Sequence, residues 1–193
     1  MTAAVFLVMM EPPASLEDEF NAWYDGEHLP QRRNMPGFRS ATRWECVDGW
    51  PRWMALYQLD SLTALNTEEY LAVSGSNATP WSQRIYARVR GVQRASGESI
   101  DLIRHDDRGI SRLLIAAYPA ADTSAQLAQV REQLAAREDL AYLQAFVHDE
   151  GNGKSVWFVA GFTDPLIPNS LLPLLGATDG KDAKILNVYV PYA

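Results

Sequence analysis

The chain has 193 residues, 47% of them hydrophobic and 21% charged, enough apolar material to bury a core in one large unit or two small ones. A formal net charge of −7 excludes a nucleic-acid groove, because phosphate binding needs concentrated Lys and Arg. Basic side chains do gather at Arg32-Arg33 and at Arg84, Arg88, Arg90 and Arg94, which leaves room for a small anionic group on a ligand but not for a polyanion.

The run Val5–Met10 is apolar, lacks a basic flank and stops at Glu11-Pro12-Pro13. It is too short to span a membrane and predicts a buried first strand in a cytoplasmic protein with no membrane partner. A helix follows, opened by Ser15 with Asp18 three residues on, in the manner of a capping box, and carrying Leu16, Phe20 and Trp23 on one face. Pro30 and then Pro36-Gly37 predict the end of that helix. Two strands, Phe38–Val47 and Arg52–Leu59, flank Asp48-Gly49-Trp50-Pro51, a hairpin signal. Helical stretches around 62–73 and 80–87 and a polar strand over 89–95 complete a βαββαβ order. The lone Cys46 lies in the first of the paired strands; it excludes an intramolecular disulfide framework and reads as an inert thiol.

The second half repeats the plan. Ser111–Ala117 reads as a strand, Ser124–Arg137 as a helix with a Leu127, Val130, Leu134 stripe, and Tyr142–His148 with Ser155–Phe162 as a hairpin around Gly151-Asn152-Gly153. A short helix near Ser170–Leu175 and a strand over Ile185–Val190 close the set. An offset of 104 residues matches Phe38 to Tyr142, Ala41 to Ala145, Trp53 to Trp157 and Asp60 to Asp164, which points to internal duplication. The predicted fold is α+β, with two tandem ferredoxin-like βαββαβ units over 1–97 and 110–193 and a charged linker over 98–109. Each sheet has helices on one face only, so the bare faces are expected to pack face to face and enclose a cleft between them, with room for a homodimer besides.

The most distinctive stretch is Trp23-Tyr24-Asp25-Gly26-Glu27-His28-Leu29-Pro30, followed by Arg32-Arg33 and Pro36-Gly37-Phe38. On a helix, Tyr24 and His28 share a face. Pro30 is expected to end the helix just after His28, placing the imidazole at a helix C-terminus where the dipole favours its protonated form. Asp25 or Glu27 would accept from one ring nitrogen and raise its pKa further. Such a His is a candidate general acid or base, Tyr24 a donor to a developing oxyanion, and Arg33 a partner for a substrate carboxylate or enolate. Trp81 and Arg84, with Tyr86, follow a Ser74-Gly75-Ser76 loop that could cover the mouth of a cleft. His28 as a simple helix cap is the competing structural reading. His105 and His148 have no ligand-spaced partner, so no zinc site is expected.

The Trp-Tyr-x-x-x-His-x-Pro segment with its later Pro-Gly-Phe resembles the dimeric α+β barrel superfamily, and most nearly its EthD-like branch. The resemblance covers about residues 3 to 95; the second half matches in layout alone. It implies a small, hydrophobic, aromatic or polyketide-like ligand and cofactor-independent lyase, isomerase, cyclase or oxygenase chemistry. Some barrels of the superfamily bind haem through a histidine, which makes haem the minor alternative. The other reading of the same fold is a non-catalytic ligand-binding or oligomerisation module. The second half has no Tyr, His or Pro at the corresponding helix, so any site is expected once, in the first half.

Overall fold

β1 (Ala4–Glu11) is the buried strand that the apolar N-terminal run predicts: all of its residues but the last are buried. It lies between β3 (Trp53–Leu59) and β4 (Arg90–Glu98), antiparallel to both. The computed structural model describes residues 2–104, 109–166 and 183–192. The chain divides into two compact units, residues 1–44 with 51–98 and residues 45–50 with 99–193.

In the first unit β2 (Phe38–Asp48) completes a sheet of order β4-β1-β3-β2, the ferredoxin-like arrangement. Antiparallel partners share a face. Phe6 with Tyr57, Val8 with Ala55, and Met10 with Trp53 therefore look the same way. That way is toward α1 (Glu17–Trp23), whose Phe20 ring lies 6.1 Å from Trp53.

The start of α1 departs from the capping-box expectation. Ser15 lies in a 3-10 turn, Ala14–Leu16, and no side chain caps the helix. Glu17, Asp18 and Glu19 in its first turn complement the helix dipole instead. The C-terminal expectation fails more instructively, because the helix does not stop at Pro30. It widens into one π-helical turn, Tyr24–His28, and resumes as α2 (Leu29–Arg33) with Pro30 in the first turn. Proline lacks an N–H and its ring crowds the carbonyl four residues back, so it breaks a continuing α-helix but suits the start of a new one. In the widened turn the Leu29 N–H reaches back five residues to the Tyr24 carbonyl. Two short helices follow, α3 (Glu68–Leu71) and α4 (Pro80–Tyr86), each capped by a threonine, Thr67 or Thr79, that accepts from the backbone N–H three residues on.

The second unit has β6 (Arg112–Pro119), α5 (Thr123–Ala135), β7 (Leu140–Asp149), β8 (Lys154–Phe162) and β9 (Ile185–Tyr192) in sheet order β9-β6-β8-β7, the same path as in the first unit. Asp122 caps α5 by accepting from the Ala125 N–H at 3.0 Å. A fifth strand, β5 (Ile100–Arg104), pairs with β7 where a linker over 98–109 is expected. Its shortness and its two charges, Asp101 and Arg104, hid it: only one side of an edge strand needs partners. The hairpin tip 45–50 belongs to this unit because the Asn187 side chain donates to the Trp50 carbonyl at 3.0 Å and accepts its N–H at 3.3 Å. The helix expected near Ser170–Leu175 and the His105-Asp106-Asp107 run lie outside the described residues.

The path repeats, but the 104-residue offset is out of step at the third strand. Trp53 faces α1, whereas in β8 it is Phe158, not Trp157, that packs in one cluster with Val130 and Leu134 of α5. Trp157 faces the other way and stacks on Phe146, 5.9 Å between centroids. A shift of one residue exchanges faces, so matched tryptophans are not equivalent positions. No helix among the described residues is long and apolar enough to cross a membrane.

Gly37, between Pro36 and Phe38, has φ of +82°, and a Cβ there would sit 2.7 Å from that of Ala64. Gly37→Ala is expected to destabilise the protein by about 2 kcal/mol, from the left-handed backbone and the contact together. Thermal unfolding measures it; adding Ala64→Gly should recover only part of the loss, since the backbone cost remains.

Candidate active site

The π-turn sets the site. Widening the helix by one residue places His28 over Trp23, five positions earlier, as well as against Tyr24. The imidazole lies 4.5 Å from the Trp23 ring, tilted by 32°, and meets the Tyr24 ring edge-on at 5.1 Å. Trp23 is itself pinned from α4, donating from Nε1 to the Ser82 hydroxyl at 3.0 Å. One further helical turn along, α2 presents Arg32 on the same side.

Between this segment and the helix-bearing face of the first unit's sheet is a cavity of about 170 Å³. Phe6, Val8 and Met10 of β1 form its apolar floor, and Tyr57, Tyr70 and Tyr86 line it with phenol rings. His28, Arg32 and Arg94 supply its nitrogen groups, while Ser74 and Gly75 stand at one side. All these residues belong to the first unit. The volume is below the roughly 300–1,000 Å³ common for ligand sites and close to the ~150 Å³ that holds a benzene ring.

The electrostatics reverse the expectation for His28. The residue is 7% exposed, and its Nδ1 is buried with no hydrogen-bond partner among the described residues. Its pKa is held well below the usual 6.5, first by burial and then by the cations Arg32, Arg94 and Arg43. The imidazole is therefore neutral at pH 7. Neither expected carboxylate reaches it. Asp25 accepts from Arg43 at 2.7 Å, and Glu27 accepts from the hydroxyls of Thr79 at 2.5 Å and Ser82 at 3.1 Å, fastening the start of α4.

Tyr24 does not line the cavity. Its buried phenol is hydrogen-bonded to that of Tyr57 and pushed up to about 12 by burial, with the Arg43 guanidinium stacked on its ring at 4.4 Å. Tyr57 is the member of that pair that faces the cavity. Arg33 is exposed, its Nε donating to the Ala41 carbonyl at 3.0 Å, and it is Arg32 that turns inward. Trp81 and Arg84 clasp Glu19 on α1: the indole donates at 3.1 Å, the Arg84 Nε at 2.8 Å. They tie α4 to α1 outside the cavity. The structure thus brings His28 to a cavity and leaves Tyr24, Asp25, Arg33, Trp81 and Arg84 around it in supporting contacts. Sequence reasoning missed Tyr57 and Tyr70, and it named Arg32 and Arg94 only within basic clusters and Tyr86 only beside the loop after Val73. Spacing from His28 could have found Arg32, four residues on, had the helix been continued through Pro30.

In the second unit the space between α5 and the sheet is packed with apolar side chains, among them Leu114, Val130, Leu134, Phe158 and Phe162. His148 is half-buried on β7.

No protein-family model and no curated protein matches the chain. Solved structures do. An anthrone oxidase-like protein superposes with a TM-score of 0.67, over 100% of this chain and 92% of its own, at 10% identity. A proposed monooxygenase from Fusobacterium nucleatum gives 0.60 over 98% and 91%, at 8% identity. A chlorite dismutase mutant from Candidatus Nitrospira defluvii gives 0.57 over 100% and 93%, at 9% identity. The chain has the dimeric α+β barrel fold. At such identities the likeness speaks for the fold alone.

Haem, the minor alternative for a barrel of this kind, does not fit the cavity described. A macrocycle of four pyrroles far exceeds a space that about one aromatic ring fills. Among the described residues no three His, Cys, Asp or Glu side chains group so as to hold a metal ion.

The depressed His28 pKa has a consequence for stability. Below about pH 6.5 the unfolded chain takes up a proton that the folded chain does not, so stability present above that pH is lost on acidification. The limiting slope is about 1.4 kcal/mol per pH unit for the one proton. In denaturant titrations between pH 7.5 and 5, His28→Phe, which keeps a ring against Trp23, should lose stability with acid less steeply than the parent protein. Equal slopes would mean that the imidazole charges freely in the folded state.

Proposed function

We propose that the protein is a cofactor-independent enzyme in which His28 removes a proton from a small aromatic or polyketide-like compound bound in the first unit's cavity. The observation that carries this reading is a neutral imidazole on a cavity wall, nine-tenths buried, whose Nδ1 meets no protein partner. A histidine kept only for structure would have its ring nitrogens satisfied, because unpaired buried polar atoms are costly. Here a ligand can complete the set.

The cavity favours the anion that proton removal leaves behind. Arg32 and Arg94 place positive charge beside it, and at the buried Arg32 an electrostatic contact is worth more than in bulk solvent. The phenol rings offer faces on which an aromatic substrate can lie. An enol or carbanion so formed can reprotonate elsewhere, eliminate, cyclise or react with dioxygen. We favour oxygenation, since neighbours of the same fold carry the names anthrone oxidase-like and monooxygenase. At an activated methylene the balance needs no cofactor: dioxygen is the oxidant, the carbon loses both hydrogens and gains one oxygen atom as a carbonyl, and the other oxygen leaves as water. The Trp-Tyr-x-x-x-His-x-Pro segment supports placing the chain near the EthD-like branch.

The proton step can be read without knowing the product. Small benzylic ketones and enols are incubated with the protein in deuterium oxide, with exchange at the acidic carbon followed by NMR and dioxygen uptake by electrode. His28→Phe should slow exchange by about 100-fold or more while remaining folded. A folded variant that exchanges at the parent rate would remove His28 from the mechanism. The purified protein should show no Soret band, and a stoichiometric one would end the cofactor-independent reading.

A further inference from the structure

The cavity holds more positive charge than the proton-transfer step uses. Arg32 is 4% exposed, yet every hydrogen-bond partner it finds among the described residues is uncharged. These are the Met35 sulfur at 3.4 Å, the Val73 carbonyl at 3.4 Å and the Ser74 hydroxyl at 3.2 Å. Arg94 likewise has no carboxylate partner among the described residues. It donates to the Tyr70 hydroxyl at 2.9 Å and lies 5.1 Å over the Phe6 ring. The two guanidiniums converge on Tyr70, since Arg32 also stands over that ring at 4.9 Å. No carboxylate lines the cavity among the described residues, in a chain whose net charge is −7.

Of the two, Arg32 is buried and Arg94 exposed; burying a cation such as Arg32 without a counter-ion is costly, and a structure normally retains such a group only where a partner is supplied. The anion created by His28 cannot be that partner, because it exists only during the reaction. A permanent anion on the ligand would. A carboxylate matches the planar fork of a guanidinium and can accept two parallel N–H donors. An aromatic ring beside it suits the apolar floor and the volume near 170 Å³.

We propose that this cavity binds a small aromatic carboxylate, its carboxylate held by Arg32 and Arg94 and its ring lying on Phe6 among the tyrosines. This deepens the reading of the same site given above and rests on it for the ring, but the charge argument stands on the arginines alone.

Binding of benzoate, measured by calorimetry and by thermal shift, tests the inference without turnover. Benzoate is expected to bind saturably and raise the melting temperature. Benzamide, of the same shape but uncharged, should bind at least about tenfold more weakly, as should inorganic phosphate, which has the charge but no ring. Arg94→Gln, at the accessible end of the cavity, should weaken benzoate by about tenfold with little effect on folding. Arg32→Gln should do the same, and its folding is checked separately because the residue is buried. No saturable benzoate binding, equal affinity for benzamide or phosphate, or an unaltered affinity in folded Arg94→Gln would each overturn the proposal. His28→Phe separates the two readings. Loss of proton exchange with benzoate binding retained supports both, whereas His28-dependent exchange in a protein indifferent to benzoate sinks this inference alone.

Discussion

One missing N–H organises the site. Had residue 30 carried an amide hydrogen, the helix begun at Glu17 could have run on at regular pitch, and residue 28 would have packed by the ordinary three- and four-residue spacing. Proline cannot make that bond and crowds the carbonyl behind it, so the chain inserts a widened turn over Tyr24–His28 before the helix resumes. The extra residue puts the imidazole over the indole of Trp23 as well as at the edge of Tyr24. It also sets the phase of the next turn, which buries Arg32 and leaves Arg33 outside. Histidine and arginine thus reach the same cavity because of one residue that belongs to neither wall.

Four of the five carboxylates of this helical segment are engaged elsewhere and the fifth, Asp18, is exposed, and that is why the cavity stays cationic. Glu17 takes Arg52, Glu19 takes Trp81 and Arg84, Asp25 takes Arg43, and Glu27 takes the two hydroxyls at the head of α4. Most of these contacts are partly exposed, where an ion pair is worth little on its own. Their larger effect is positional: they fasten α4 and β2 to the helix from outside and keep negative charge away from His28. The Asp25 pair is the exception in placement, because its Arg43 is buried against Tyr24, Phe20 and Trp53 and joins the ring cluster to the sheet.

The ferredoxin-like path was legible because its signals are local. Alternating and continuous apolar runs marked the strands, and Asp-Gly and Gly-Asn-Gly marked the hairpins. β5 was not legible, since Ile100–Arg104 carries two charges in five residues and owes its strand geometry to β7. Parity was not legible either: the 104-residue match pairs Trp53 with Trp157 though they face opposite sides, because the face a strand residue takes is set by pairing register, which a residue match does not record. At the site, His28 could be singled out by its company, but its charge state could not. That depended first on how deeply the ring is buried, then on which arginine of Arg32-Arg33 turned inward and on Arg94, brought alongside by β4.

The same charges that suppress protonation of His28 would be answered by an anionic ligand, so binding and base strength are coupled. In the free protein burial first, and then the charges of Arg32, Arg94 and Arg43, keep the imidazole neutral and poorly basic. A carboxylate between Arg32 and Arg94 would cancel much of that field, and exclusion of water by the ring would strengthen whatever field remained. The imidazole would then become a stronger base only when a substrate of the right charge is in place, while the proton it accepts would be offset by the new anion on the substrate. Two fixed cations and one transient imidazolium would face one permanent and one transient anion, leaving the filled site close to the charge of the empty one with a single cation removed. Selectivity and reactivity would arise from the same pair of arginines, without any movement of the chain.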